Sequence, residues 1–178
     1  MTSFLLRFSL FFMVVLCLCS CEAKNPNVDQ SGTDELESLE IEHEIPLEKK
    51  NFQDLIYVPI YSDIYIDQQN VKAPLSATLS IRNTSFSDSL FISKIDYYNT
   101  DGKLVRKFIK NPISLTPMAS LNYVIEKYDD TGGHGANFIV DISAKNRDIR
   151  PIIQAIMIGQ HGNKGIAFST DGYSIKRE

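Results

Sequence analysis

The chain has 178 residues, 43 % of them hydrophobic, which is one domain by length with enough apolar material for a core. Its formal charge of −4, with no basic run longer than Lys49-Lys50 or Lys176-Arg177, speaks against nucleic acid, since phosphate backbones are held by clustered Lys and Arg. All three cysteines, Cys17, Cys19 and Cys21, fall within 16-LCLCSC-21, and this excludes a disulfide framework spread through a domain.

Residues 1–20 begin with one positive charge, Arg7, and continue as an apolar stretch from Phe8 to Leu18 broken only by Ser9. That is the pattern of a secretory signal, and it is too short to span a bilayer before Ser20, Cys21 and Glu22 end it. Leu18-Cys19-Ser20-Cys21 resembles the bacterial lipobox: an aliphatic residue, two small ones, then the obligatory Cys. The resemblance implies cleavage after Ser20 and acylation of Cys21, with palmitate-type chains as the anchor; the alternative is a plain cleaved signal peptide. Two or three chains on one residue suit stable attachment, because a single chain binds only reversibly. Zinc needs four ligands at other spacings, and a C-x-x-C redox pair is absent, so neither explains the cluster. Glu22 is not the Asp that favours inner-membrane retention, and this points to the outer membrane, with the face undetermined.

From residue 21 to 54 the composition shifts. Ten acidic residues and almost no aromatics describe a disordered, extended tether. Its reach is about 30 Å from the flexible-chain rule. Around 35-ELESLEIEHEIPLE-48, Leu36, Leu39 and Ile41 suit a transient helix that Pro46 stops.

The folded domain is expected over 55–178, built from strands. They are 55–66, with Pro59 marking an edge or bulge, then 75–83, 90–98, 103–109, 121–128, 137–143, 152–159 and 165–170. Leu75, Ala77, Leu79 and Ile81 alternate with Ser76, Thr78, Ser80 and Arg82, as on a half-buried strand. Asn99-Thr100-Asp101-Gly102 is a hairpin turn, because Asp-Gly tolerates positive φ. Short strands at such spacing predict an all-β fold, an antiparallel β-sandwich of immunoglobulin-like type or a small barrel.

The strings 57-YVPIYSDIY-65, 75-LSATLSIRNT-84, 97-YYNTDGKLVR-106, 131-TGGHGANFIV-140, 156-IMIG-159 and 165-GIAFSTDG-172 resemble an uncharacterised family of bacterial envelope proteins and lipoproteins, domain of unknown function 3124. The resemblance runs from about Tyr57 to Gly172. It implies an envelope location and a single domain, and it brings no activity, cofactor or catalytic residue.

Chemistry has one conspicuous place, 129-DDTGGHGAN-137. Gly132 and Gly133 permit close backbone approach, successive N–H groups there suit an anion-binding nest, and His134 is a ligand or proton carrier beside Asn137. The plainer reading is a long hairpin connection between 121–128 and 137–143. A second glycine-bearing loop, 159-GQHGNKG-165, holds His161. If it met His134 and Asp129 or Asp130, two imidazoles and a carboxylate would suit a metal. No calcium loop, G-x-S-x-G or H-E-x-x-H occurs, and no free thiol remains as nucleophile. Tyr57, Tyr61, Tyr97 and Tyr98 are either a ligand-facing surface or sheet packing. The sequence thus predicts a lipid-anchored envelope protein without enzymatic activity or cofactor, binding the membrane through Cys21 and another envelope protein through its head. The alternative is a metal- or small-ligand-binding protein, or a hydrolase, built on the His134 and His161 loops.

Overall fold

The computed structural model describes residues 39–41, 45–46, 50–125, 129 and 131–177. The acidic chain does not stay clear of the domain up to Asp54. Glu40 forms an antiparallel bridge with Ile113, Ile41 N donates to Pro112 O at 2.8 Å, and Ile45 is buried.

The described residues form eleven strands: β1 (Phe52–Pro59), β2 (Asp63–Tyr65), β3 (Lys72–Arg82), β4 (Leu90–Tyr98), β5 (Leu104–Lys107), β6 (Ile113–Leu115), β7 (Ser120–Ile125), β8 (Asn137–Ala144), β9 (Ile152–His161), β10 (Lys164–Asp171) and β11 (Tyr173–Arg177). They make two antiparallel sheets. The first runs β11-β1-β8-β4, with β5 and β6 sharing the outer edge of β4; the second runs β10-β9-β3, with β2 and β7 sharing the outer edge of β3. Among the described residues there is no helix, and so none long and apolar enough to cross a membrane.

The period-2 pattern places the core. From β3, Ala73, Leu75, Ala77, Leu79 and Ile81 are buried, and from β8, Phe138, Val140, Ile142 and Ala144. On β4 the parity changes from Leu90 and Ile92 to Ile95 and Tyr97, because a bulge between Ile92 and Lys94 inserts one residue. These inner faces meet in one apolar cluster, so the molecule is a sandwich and not a closed barrel. Its aromatic centre is Tyr97, Phe108, Tyr123 and Phe138, with adjacent rings 5.0–6.5 Å apart.

The centre of the topology is immunoglobulin-like. β3·β7 and β4·β8 correspond to the B·E and C·F pairs of that sandwich, with β5 as the hairpin partner of β4. The flanks are exchanged. The N-terminal β1 lies beside β8, where strand G would lie, and the C-terminal β9 lies beside β3, where strand A would lie.

The expected turn at Asn99–Gly102 is present. Gly102 has φ +74°, Gly102 N donates to Asn99 O at 2.9 Å, and the Asn99 side-chain oxygen accepts from Asp101 N and Lys103 N. The expected hairpin across residues 129–136 is not. β7 pairs with β3 in the second sheet and β8 with β1 and β4 in the first, so the glycine-rich loop is a crossover between sheets.

Candidate functional site

The crossover is fixed by a neighbour that is remote in sequence. Thr100, at the tip of the β4–β5 turn, donates its N–H and its hydroxyl to Gly132 O at 2.9 and 3.0 Å, and the hydroxyl accepts from Gly135 N at 2.9 Å. Gly133 O accepts from Ser62 N at 3.2 Å and Ala136 O from Ile60 N at 2.9 Å. Gly132 lies against Tyr97, where an added Cβ would sit 1.8 Å from the phenol oxygen. Gly132 therefore serves close packing, and Gly135 N–H, one donor of the expected anion nest, is spent on Thr100. Tyr97 is fully buried beneath it, and burial first of all pushes its phenol above the ordinary range, with nearby Asp129 adding to the effect and Ser62 opposing it.

This latch presents His134 to β2 and β3. Asp63 and Tyr65 alternate onto one face of β2, and Lys72 pairs directly with Tyr65 on β3. His134 Nδ1 hydrogen-bonds Asp63 Oδ1, while its Nε2 lies 2.7 Å from Lys72 Nζ and 3.2 Å from Tyr65 Oη. A carboxylate only accepts and an ammonium only donates, so the uncharged ring carries its proton on Nδ1 and offers the Nε2 lone pair to Lys72. Lys72 Nζ is also 3.8 Å from Asp63 Oδ2 and 5.5 Å from the Tyr65 ring centre. The Tyr65 ring packs on the imidazole at 4.9 Å. The group is open to solvent: the Lys72 side chain is 45 % exposed and that of His134 36 %.

The other expected residues scatter. His161 is exposed at the β9–β10 turn. Because β9 pairs with β3 on the edge opposite β2, His161 lies across β3 from the cluster, and no hydrogen bond or ion pair among the described residues joins it to His134. Asp129 turns to Arg106 at 3.5 Å and caps Thr131 N. Among the described residues no group of three or more His, Cys, Asp or Glu is placed to hold a metal ion, so the two-histidine site is not assembled. Asn137 is buried at the start of β8, opposite Pro59 and Tyr98. Cys21 and Asp130 lie outside the described residues. Tyr61 packs edge-on against Phe168, which favours sheet packing over a ligand-facing role for it.

Sequence reasoning found His134 and missed its partners. Asp63, Tyr65 and Lys72 stand 71, 69 and 62 residues away from it. The signal that was available is the pattern Asp63-Ile64-Tyr65, a polar alternation that places both functional groups on one face of a short strand.

A cleft of 120 Å³ also opens between the sheets, lined by Phe52, Asp54, Ile56, Arg150, Ile153 and Gly172 among others. Asp54 is buried there and accepts from Ser174 Oγ at 2.6 Å. No residue of the His134 cluster lines it.

Among solved structures, the chain is similar to Thermotoga maritima 1070, with 17 % identity and a TM-score of 0.41 over 67 % of this chain and 92 % of that one. No curated protein matches it. The sequence signature of the family described as protein of unknown function (DUF3124) covers residues 53–175, from the first strand to the last, and the chain belongs to that family.

Proposed function

We propose that this protein is a lipid-anchored component of the bacterial cell envelope, attached through Cys21 to the outer membrane, whose sandwich head recognises another envelope component at the Asp63–Tyr65–Lys72–His134 end and carries out no reaction of its own. The observation that supports recognition over catalysis is what surrounds His134 Nε2. A hydrolase of the Ser-His-Asp kind places a nucleophilic hydroxyl or thiol there, beside a substrate cavity. Here the positions are filled by Lys72 and Tyr65 on an open surface. The anchor rests on the lipobox-like LCSC and the apolar stretch before it.

The second reading, a hydrolase or small-ligand protein on the same loop, draws on the carboxylate-held imidazole, an arrangement that also suits a general base. One set of experiments separates the two. Wild-type chain should incorporate labelled palmitate and fractionate with membranes, and Cys21→Ser should do neither. Crosslinking of the wild type in intact cells should capture a partner, and His134→Gln or Lys72→Met should lose it while the membrane level is unchanged. A wild type without palmitate and free of membranes, or a clean monomer under crosslinking, refutes the corresponding half of the proposal.

A further inference from the structure

Around His134 Nε2, donors outnumber acceptors. Lys72 Nζ and Tyr65 Oη approach it from two other elements at 2.7 and 3.2 Å. While the ring is uncharged, its lone pair satisfies Lys72. Once Nε2 takes up a proton it becomes a donor itself, and three donor groups then converge with only the Tyr65 phenol oxygen able to accept from the others. At the same time the imidazolium, Lys72 and Asp63 together carry one net positive charge, where with the neutral ring they carried none. Asp63 stays on Nδ1 in both states and keeps the ring oriented.

We infer that this end of the sandwich is a proton-gated site for a phosphate-type oxyanion, held by Lys72 Nζ, Tyr65 Oη and His134 Nε2–H. Three donors on three elements suit the three oxygens of a tetrahedral anion better than the two of a planar carboxylate. The inference rests on reading the cluster as a recognition site, and it names the chemistry recognised there. The surroundings add little competing charge. On β2 the titratable groups are Asp63 and Tyr65, on β3 Lys72 and, at its far end, Arg82, and in the β2–β3 turn Asp67, whose Oδ1 is taken by Gln69 N and Val71 N. The β4–β5 turn that latches the loop carries Asp101 and Lys103, and of the loop's two acidic residues Asp129 is paired with Arg106 while Asp130 lies outside the described residues. His161 and Lys164 stand across β3 on the β9–β10 turn.

Imidazole is the side chain whose charge changes nearest neutrality, so the gate is tested at pH 5.5 and 7.5. One linked proton makes affinity fall about tenfold per pH unit above the titration. Sulfate is the probe, because its charge is constant there. In the chain of residues 21–178 carrying Cys21→Ser, the His134 ring proton, assigned with His134→Gln, is followed by NMR during sulfate titration at pH 5.5 and 7.5. The expected result is a saturable shift at pH 5.5, at least tenfold weaker at pH 7.5, with the ring titration displaced to higher pH by sulfate and the effect lost in Lys72→Met. Tyr65→Phe, which leaves every charge in place, should weaken it severalfold and guards against a folding defect in the lysine variant. Vesicles distinguish the source of the phosphate. Pelleting with phosphatidylglycerol vesicles at pH 5.5 and not at 7.5 assigns a lipid head group, whereas sulfate binding without pelleting assigns free phosphate. Equal sulfate affinity at both pH values, or binding indifferent to Lys72→Met, overturns the inference. If sulfate fails while partner capture through His134 persists, the oxyanion assignment falls and the recognition reading stands. If both fail, both fall.

Discussion

Replacing Gly132 with Ala tests whether the glycine-rich loop is shaped by packing or by ligand chemistry. The added Cβ would sit 1.8 Å from Tyr97 Oη, 2.7 Å from its Cζ and 2.8 Å from Ala136 Cβ. Tyr97 has nowhere to retreat, since it is fully buried with Phe138 at 5.5 Å and Phe108 at 6.5 Å. Overpacking a tight core typically costs 1–3 kcal/mol, and the overlap here sets the cost at about 3 kcal/mol. In a domain of this size roughly 1 kcal/mol moves Tm by about 4 °C, so the variant should melt roughly 12 °C lower in a calorimetric scan. Gly102→Ala is the control. Nothing lies within 4 Å of its Cβ, and its φ of +74° adds only the left-handed penalty of about 1 kcal/mol. Tyr97→Phe removes the oxygen that Cβ overlaps. The double variant should therefore recover at least about 1 kcal/mol relative to additivity. A Gly132→Ala protein melting within roughly 3 °C of wild type, or additive energies in the cycle, would refute the packing account.

Asn83 is buried and its Nδ2 donates to the carbonyl oxygens of Asp88, Leu115 and Thr116 at 2.8, 3.1 and 3.0 Å, so Asn83→Ala orphans several acceptors at once. It should cost about 3 kcal/mol in urea denaturation, and Asn83→Asp more, because a carboxylate would face those oxygens. Ile45→Ala should cost about 2–3 kcal/mol, as for other buried aliphatics, whereas a residue in a free tether would be neutral; the urea midpoint decides. Burial pushes the Asp141 carboxyl above its ordinary range, against the pull of Lys94, Lys50 and Lys176. Stability from its neutral form is full below about pH 3.9, its unfolded value, and is lost as pH rises through the raised folded value. Asp141→Asn should therefore raise Tm at pH 7 and leave it unchanged near pH 3; a variant that melts lower at pH 7 contradicts this sign.

Strands that bury one face were legible because period 2 is written in them, as in Leu75-Ser76-Ala77-Thr78-Leu79. The Asn99–Gly102 turn was legible because its geometry demands those residue types. β6 was not, since three residues after Pro112 show no period, and β11 was not, since Tyr173 and Ile175 both remain exposed and give no apolar run. Residues 39–41 read as tether because the segment around them is acidic. Their docking depends on the free edge of β6, which no local pattern reveals. The hairpin expected at residues 129–136 failed for a related reason. The alternation in β7 and β8 says that each buries a face and does not say that the faces belong to different sheets.

The same crossover explains why one histidine stood out and the site did not. A chain passing from the β7 sheet to the β8 sheet must bridge the end of the sandwich. There it meets the other segments that cross or turn at that end, the β4–β5 turn and the Ile60–Ser62 link between β1 and β2. Thr100, Ser62 and Ile60 take the carbonyl oxygens of Gly132, Gly133 and Ala136, and the loop held this way leaves the His134 side chain outward. Glycine at 132 lets the loop lie close enough to Tyr97 for those bonds to form, and that closeness brings the imidazole to Asp63 and Lys72. The glycines thus act on the site through position. A change at Gly132 would move His134 without touching Asp63, Tyr65 or Lys72.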